Sequence, residues 1–396
     1  MPNADEKVLA IQEDLLARMR VGRAVKPDNF WRQVEKRFGD LGKDLRAHVS
    51  QRGRGLADND FWQIKNQNLD LSLWVTGQFM GDFYRCYLCW FNAAVRDRQV
   101  TRILDIGCDN GVLTCCYAVT FPDAQIVGTD YNSDSIGAAR KLAERLNIDN
   151  IIFRVLSAAE FRSAKNIGRF DLVTETMTYQ SVLEIPQMPL GYSLHKLTLP
   201  DSVRWQSLLG DVGTLLEEHG TFVTVEKLTN SVAVLWWARA LVEAGFRINW
   251  TESSLLCYKT LDEKSRYPAL LCDRESPVSS ALERDVLAFY AAPELLHLAK
   301  APFEADIAEA LFEAIREREL IWGIEASFEG DYIERFEIWE AGPIILAYTY
   351  SERGRRLVIG SRHLRHESIE QGRQHWSKMP HVRVREYSSV AEREHF

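Results

Sequence analysis

Asp105, Gly107 and Gly111 lie where an apolar run ends, in the segment 102–113, RILDIGCDNGVL. The apolar run predicts a buried strand, and the glycines predict a sharp turn into a helix, because glycine adopts backbone conformations that other residues avoid. Asp130 ends the next apolar run, AQIVGTD. Ligands of α/β proteins bind beyond the carboxyl ends of the strands. The sequence therefore predicts a bound ligand where the strand of segment 102–113 hands over to the following helix.

The spacing of the two glycines bears on the kind of ligand. A dinucleotide site has the pattern G-x-G-x-x-G, which brings the backbone close to a pyrophosphate at a helix N-terminus. Here Gly107 and Gly111 are separated by three residues, and Asp109 occupies the middle glycine position. A carboxylate would repel a pyrophosphate. The spacing therefore favours a ligand without phosphate and disfavours a nicotinamide dehydrogenase.

The elements around this turn predict a fold. Between residues 75 and 262 apolar strands alternate with amphipathic helices, a pattern typical of a doubly wound, mostly parallel sheet with helices on both faces. Residues 1–74 are predicted to form an N-terminal helical region, because apolar residues recur there at helical spacing. Residues 263–396 are predicted to form a C-terminal α+β domain. In this domain two helices precede an antiparallel sheet, whose strands are separated by turns.

Four segments resemble motifs of the class I S-adenosylmethionine-dependent methyltransferases. LDIGCDNG resembles the family's first motif, IVGTDYN the second, RFDLVTE the fourth strand, and EEHGTFVTVE the approach to the fifth strand. The resemblance covers about residues 75 to 260. It implies a Rossmann-like methyltransferase core and S-adenosyl-L-methionine as cofactor. Asp109 departs from the first motif, which has glycine at that position.

The resemblance also implies roles for individual residues. Asp130 would accept hydrogen bonds from both ribose hydroxyls, and Gly107 would let the backbone pass close to the ligand. Asp105 would orient the loop and reach toward the ammonium group.

The remaining residues would contact other parts of the cofactor. Tyr131 and Ala158 would flank the adenine, and Glu175 and Thr176 would lie near the methionine part and the reacting methyl group. Ser157 stands where the family often has aspartate at the adenine edge, and Glu160 is a substitute candidate. The predicted cofactor-binding residues are Asp105, Gly107, Cys108, Gly111, Asp130, Tyr131, Ser157, Ala158, Glu175 and Thr176.

The segment after the fourth strand, residues 179–203, is the natural place for a proton acceptor. It is long for a connection, and long loops in compact domains are often functional. It contains the three candidate catalytic residues His195, Tyr179 and Glu184, of which His195 suits a base at neutral pH. Its leucine, isoleucine, methionine, tyrosine and proline side chains are expected of a lid. The sequence thus predicts methyl transfer, by in-line displacement, to a small apolar or aromatic acceptor.

Composition sets further expectations. The formal net charge of -8 gives no general attraction to nucleic acid or anionic lipid, and no apolar segment is long enough to span a membrane. The seven cysteines show no regular spacing, and Cys86 and Cys89 are expected to be buried thiols on a helix. His363 and His366 are expected on a solvated helix face. We therefore expect a cytoplasmic protein with a small-molecule substrate, and no metal, nucleic-acid or membrane partner; the oligomeric state is not predicted.

Two alternatives stay open from the sequence. The first is a methyltransferase acting on proteins or peptides, in which the C-terminal domain recognises the target by pairing a strand with it. An exposed, unpaired sheet edge within residues 320–360 would favour this alternative. The second is a protein that binds the cofactor without catalysis, with Asp109 and Ser157 marking a motif that has been lost.

Overall fold

The computed structural model describes 4–22, 29–53, 61–164, 167–179, 202–228, 231–259, 264–277, scattered positions between 279 and 315, 318–328, 332–342, 344–379 and 382–394. The chain divides into two compact units. The first comprises 1–184, 203–229 and 240–278, and the second comprises 185–202, 230–239 and 279–396. Each unit is described by itself below.

The N-terminal region is helical, as the sequence predicts. Its helices are α1 (Ala4–Arg18), α2 (Phe30–Phe38), α3 (Asp40–Gly53), α4 (Phe61–Asn66) and α5 (Leu69–Val95). Asn68 caps the start of helix α5: its side-chain oxygen accepts a hydrogen bond from the backbone N–H of Leu71, so one of the unpaired donors of the first turn is satisfied. The boundary predicted after residue 74 falls inside α5, so the helical region and the sheet region share this helix.

An eight-stranded sheet forms the centre of the first unit. Its strands are β1 (Arg102–Ile106), β2 (Gln125–Asp130), β3 (Ile151–Val155), β4 (Phe170–Thr176), β5 (Leu216–Val225), β6 (Arg247–Ile248), β7 (Ser254–Lys259) and β8 (Lys264–Asp273). The order is β3-β2-β1-β4-β5-β8-β6, and β7 also pairs with β8. Strands β1 to β5 are parallel, whereas β8 runs antiparallel to β5. This is the predicted doubly wound, Rossmann-like sheet.

Strand β8 corrects the predicted end of the sheet region. The backbone of β5 from Phe222 to Val225 pairs with the β8 segment from Ala269 to Cys272. The sheet therefore continues to Asp273, beyond the predicted boundary at residue 262. Sequence order hides this pairing, because β6 and β7 lie between β5 and β8 along the chain.

Helices lie between successive strands. They are α6 (Val112–Thr120), α7 (Ser133–Leu146), α8 (Ser202–Leu215) and α9 (Ser231–Glu243), and a short 3-10 helix spans Ala158–Ser163. The apolar residues of α6, α7 and the parallel strands share one core cluster with those of α1 and α5. Inside this core the hydroxyl oxygens of Tyr87 and Tyr117 lie 2.7 Å apart and form a hydrogen bond. The N-terminal helices are thus packed against the sheet layer.

The second unit contains the predicted antiparallel sheet. Its strands are β9 (Phe303–Glu304), β10 (Glu319–Ser327), β11 (Ile333–Ala341), β12 (Ile344–Ser351), β13 (Gly354–Ser361) and β14 (Arg383–Tyr387), in the order β14-β10-β11-β12-β13-β9. Helix α10 (Arg365–Ser377) contributes Trp376 to a core with Trp322 and Ile338, and α11 (Val390–Glu394) follows β14. Most of the two helices predicted before this sheet lies outside the described residues.

Several smaller expectations can be compared with the described residues. No helix among them is both long and apolar enough to cross a membrane. They also hold no group of three histidine, cysteine or acidic residues that could bind a metal ion. His363 and His366 are exposed, as expected. Cys86 is half-buried and Cys89 is exposed, so the prediction of two buried thiols is wrong for Cys89, which lies on the solvent side of α5.

Candidate cofactor site

The turn between β1 and α6 has a left-handed backbone at three positions. The φ angles are +71° at Gly107, +48° at Asp109 and +80° at Gly111. Glycine adopts such angles without steric cost, and aspartate tolerates them better than most residues. Asp109 can therefore occupy the middle glycine position of the motif without changing the course of the backbone.

The two glycines are required by packing inside the protein. A Cβ atom at Gly107 would lie 2.0 Å from Oγ1 of Thr178, and one at Gly111 would lie 2.9 Å from Cβ of Ala139. The family resemblance implies that Gly107 lets the backbone pass close to a ligand. The structure adds a requirement from packing, because the Thr178 side chain occupies the space where the Cβ of Gly107 would stand.

Asp130 lies at the carboxyl end of β2, beside this turn. Its Oδ2 accepts a hydrogen bond of 3.0 Å from the backbone N–H of Asp109, and its Oδ1 accepts one of 2.9 Å from that of Asn132. An ionised carboxylate offers about four lone-pair positions, so both oxygens can accept further hydrogen bonds. The residue is 8% exposed. Burial, with the nearby Asp109 carboxylate, raises the pKa of Asp130 to about 6.

Asp105 lies deeper than the sequence analysis predicts. Its Oδ2 accepts a hydrogen bond from the Thr114 hydroxyl and its Oδ1 one from the Thr174 hydroxyl, and the residue is buried. Burial raises the pKa of this carboxyl to about 7. The side chain thus joins β1 to α6 and β4. It can fix the start of the turn, but its contacts do not support the predicted reach toward a ligand's ammonium group.

Two residues of α4 that the sequence analysis missed contact the turn. The ammonium group of Lys65 lies 2.5 Å from Oδ2 of Asp109, and Nδ2 of Asn66 donates a hydrogen bond of 2.7 Å to Oδ1 of Asp109. Both α4 side chains are buried. The signal that could have located them is a lysine on a short aromatic segment, FWQIKN, since a buried lysine requires an acidic or polar partner.

The region after β3 contains the residues predicted at the adenine. Ser157 and Glu160 form a capping box: the Ser157 hydroxyl accepts a hydrogen bond from the N–H of Ala159, and the Glu160 carboxylate accepts one from the N–H of Ser157. Both side chains thus stabilise the start of the 3-10 helix. Ala158 is buried and Tyr131 is 58% exposed. Of these residues, Tyr131 has the accessible ring that could stack on an adenine.

Glu175 is turned into the interior between β4 and β5. Its carboxylate accepts hydrogen bonds from the N–H of Thr178 and from the Thr224 hydroxyl. Burial raises the pKa of Glu175, which is also hydrogen-bonded to the Glu226 carboxyl group. The pair orders the backbone where β4 ends. The predicted contact of Glu175 with the methionine part of a cofactor is therefore not supported, while Thr176 beside it is half-buried.

Tyr179, a predicted catalytic residue, is fully buried. Its backbone N–H donates a hydrogen bond of 2.9 Å to the Glu226 carboxylate, and burial raises the pKa of the Tyr179 phenol well above its usual value. Tyr179 is thus unsuited to accept a proton at neutral pH. Burial likewise raises the pKa of the Cys108 thiol. His195 and Glu184 lie outside the described residues.

Part of this chain is similar to known methyltransferases. Residues 97–244 match the family model of a methyltransferase domain. An uncharacterised protein of Rickettsia prowazekii is 28% identical over 109 residues, which are 28% of this chain and 43% of that protein. A bifunctional methyltransferase of Rickettsia felis is 29% identical over 106 residues, 26% of this chain and 19% of that protein. The matches therefore span less than half the length of either relative.

The solved structures include a similar chain, the ribosomal protein L11 methylase of Lactobacillus delbrueckii subsp. bulgaricus. It is 17% identical, with a TM-score of 0.33, and the match covers 49% of this chain and 80% of the methylase. The similarity to methyltransferases depends on the matched domain, residues 97–244. This match is consistent with the class I methyltransferase family that the sequence motifs resemble.

Proposed function

We propose that this chain transfers a methyl group from S-adenosyl-L-methionine to a small apolar or aromatic acceptor. The cofactor would bind at the carboxyl ends of β1, β2 and β4. When bound, it supplies a sulfonium-linked methyl group that an acceptor atom can take by in-line displacement. Holding the two reactants in line can supply about 7–11 kcal/mol of the barrier reduction.

The observation that carries this proposal is the position of Asp130. Its carboxylate lies at the edge of the sheet, is oriented by two backbone N–H groups, and keeps acceptor positions for the two hydroxyls of a ribose. The exposed ring of Tyr131 follows directly in the chain and suits the face of an adenine. Asp105, Ser157 and Glu175 stabilise the segments around this site, because their side-chain oxygens accept hydrogen bonds from other protein groups.

Tyr179 is not suited to be the base that removes a proton from the substrate. The Tyr179 phenol is buried, so we propose His195 as the base. It would remove a proton from a substrate oxygen or nitrogen that receives the methyl group. Glu184 is the weaker candidate for this role. This role rests on the sequence, since both residues lie outside the described residues. The small, apolar or aromatic character of the acceptor likewise rests on the composition of residues 179–203.

The alternative of a peptide-modifying enzyme depends on the edges of the second unit's sheet. Strand addition requires an open sheet edge. Strands β11 and β12 are paired on both sides, and β10 and β13 have β14 and β9 as second neighbours over part of their length. Among the described residues, β9 covers β13 only at Arg356 and Leu357. Recognition of a peptide by strand addition at β13 therefore stays the alternative to a small acceptor.

Methyl transfer can be tested directly with radiolabelled S-adenosylmethionine. The protein is incubated with the labelled cofactor and either the small-molecule fraction or the protein fraction of a cell extract, and Asp130→Ala serves as the matched control. We expect label in the small-molecule fraction, and far less with the control variant. Label confined to the protein fraction would overturn the proposed acceptor class, and cofactor binding without transfer to either fraction would favour a non-catalytic binding protein.

A further inference from the structure

Lys65 and Asn66 of α4 hold both oxygens of the Asp109 carboxylate. The Lys65 side chain is 2% exposed, whereas that of Asp109 is 24% exposed. Removing an ammonium group from water is costly unless the charge is paired. Asp109 supplies that pairing charge, so the contact between α4 and the turn has an electrostatic cause.

Further polar contacts fix the two α4 side chains in place. The Lys65 ammonium also donates to the Thr76 hydroxyl of α5 and lies 4.6 Å from the centre of the Trp62 ring. Asn66 donates a hydrogen bond of 2.7 Å to the Ser135 hydroxyl of α7 and accepts one from the Ser72 hydroxyl of α5. The Asp109 side chain is therefore held by a network that reaches three helices.

The same network bears on Asp130, whose carboxylate accepts the Asp109 N–H. The charged and titratable groups that face Asp130 are Asp109, Asp105, Cys108 and Lys65. Among the described residues of this set, Lys65 is the only cation. The Asp109 charge raises the pKa of Asp130, although burial has the larger effect, and the Lys65 charge lowers it.

We propose that Lys65 is a positioning residue for the cofactor site: its ammonium group holds the Asp109 side chain on α4 and offsets the Asp109 charge, so that Asp130 meets the ribose as a carboxylate. This role rests on the proposed function. It assigns the N-terminal helix α4 a part in cofactor binding. It also explains how aspartate can replace the middle glycine of the motif, since Lys65 compensates the charge and the left-handed backbone suits either residue.

The role of Lys65 can be tested by comparing the full-length wild-type protein with the full-length variants Lys65→Met and Lys65→Met/Asp109→Gly. The first readout is the titration midpoint of the Asp130 carboxyl carbon, followed by 13C NMR without cofactor. Lys65→Met should raise this midpoint by about one pH unit, the lower end of the effect of a neighbouring charge. The double variant removes both charges and should return the midpoint to the wild-type value or below it.

The second readout is the affinity for S-adenosylmethionine, measured by calorimetry at pH 6.5 and pH 8.5. Lys65→Met should bind about threefold more weakly at pH 6.5, because a midpoint that rises from about 6 to about 7 lowers the ionised fraction of Asp130 from about three quarters to about one quarter. Its affinity should approach the wild-type value at pH 8.5. The double variant should regain affinity at pH 6.5. Arg145→Met is the matched control, since it breaks the ion pair between α7 and Asp70 of α5 and should leave both readouts unchanged.

An Asp130 midpoint that stays the same in Lys65→Met, or a loss of affinity that is equal at both pH values and is not reversed in the double variant, would overturn the role of Lys65. If Lys65→Met does not fold, Asp109→Asn replaces it: this change removes the carboxylate charge and should lower the midpoint, and an unchanged midpoint would again overturn the role. A wild-type protein that fails to bind S-adenosylmethionine would overturn the proposed function itself, whatever the midpoints show.

Discussion

The backbone N–H of Asp109 donates a hydrogen bond of 3.0 Å to the carboxylate of Asp130. This bond joins the turn after β1 to the end of β2, across 21 positions of the sequence. The turn and the proposed ribose-binding carboxylate therefore act as one unit, and any change in the backbone at 107–111 also displaces an orienting group of Asp130.

The proposed contact of Asp130 with the ribose should depend on pH. The pKa of Asp130 is raised to about 6, and only the carboxylate accepts hydrogen bonds with both oxygens. The affinity for S-adenosylmethionine should therefore be highest above pH 7 and fall as the pH decreases through 6. Calorimetric titrations between pH 5 and 8 measure this dependence. Asp130→Asn should bind weakly with a flat profile, and an equally steep fall in that variant would assign the dependence to another group.

Replacing Gly107 by alanine should destabilise the fold. The left-handed backbone costs a non-glycine residue about 1–2 kcal/mol, and the new Cβ would overlap the Thr178 side chain. Urea unfolding of Gly107→Ala should therefore give a lower free energy of unfolding by at least that amount. Gly137→Ala is the control: it lies in α7 with no atom within 4 Å of the added Cβ, and should stabilise by about 0.5–1 kcal/mol. Equal effects of the two changes would contradict this explanation.

Asp105 should make stability decrease as the pH rises. Its pKa is about 7 in the folded chain, against an ordinary value of 3.8, so the folded state binds a proton that the unfolded state has released. Its stabilising contribution is complete below pH 3.8 and is lost as the pH rises through 7. Asp105→Asn keeps the shape without the charge. The variant should therefore gain stability relative to wild type between pH 5 and pH 8, and a constant difference in unfolding free energy would show that Asp105 does not titrate in this range.

Ser157 should contribute to stability more than to cofactor affinity. Its hydroxyl and the Glu160 carboxylate cap the 3-10 helix, and removing such a cap costs about 0.5–2 kcal/mol. Ser157→Ala should lower the free energy of unfolding by an amount in this range. Its affinity for S-adenosylmethionine should change less than twofold. A loss of affinity without a loss of stability would instead support the adenine contact implied by the family resemblance.

The fold could be predicted from the sequence where local patterns determine it. Apolar runs ending in Asp105 and Asp130 gave the positions of β1 and β2, because parallel strands buried on both faces have this pattern. The direction and position of β8 could not be predicted, since its partner β5 lies far from it in sequence and β6 and β7 intervene. The sheet therefore continues past the boundary that the sequence predicts at residue 262.

The site was predictable only in part. The glycines and Asp130 are local signals, and the structure places them at one edge of the sheet. Which face a strand-end side chain takes depends on the neighbouring strands. Glu175 is bonded to Thr224 of β5, a contact that its own segment does not predict. The Lys65–Asp109 contact joins residues 44 positions apart, and no periodic pattern links them.

The binding of S-adenosylmethionine at Asp130 is tested most directly by isothermal titration calorimetry at pH 7.5 on the wild-type protein and on Asp130→Ala. The wild-type protein should bind one cofactor per chain, and the variant should lose about 1.5–3 kcal/mol of binding free energy, the range for a hydrogen bond to a charged group. No heat of binding at millimolar cofactor, or equal affinities of the two proteins, would contradict the proposed site.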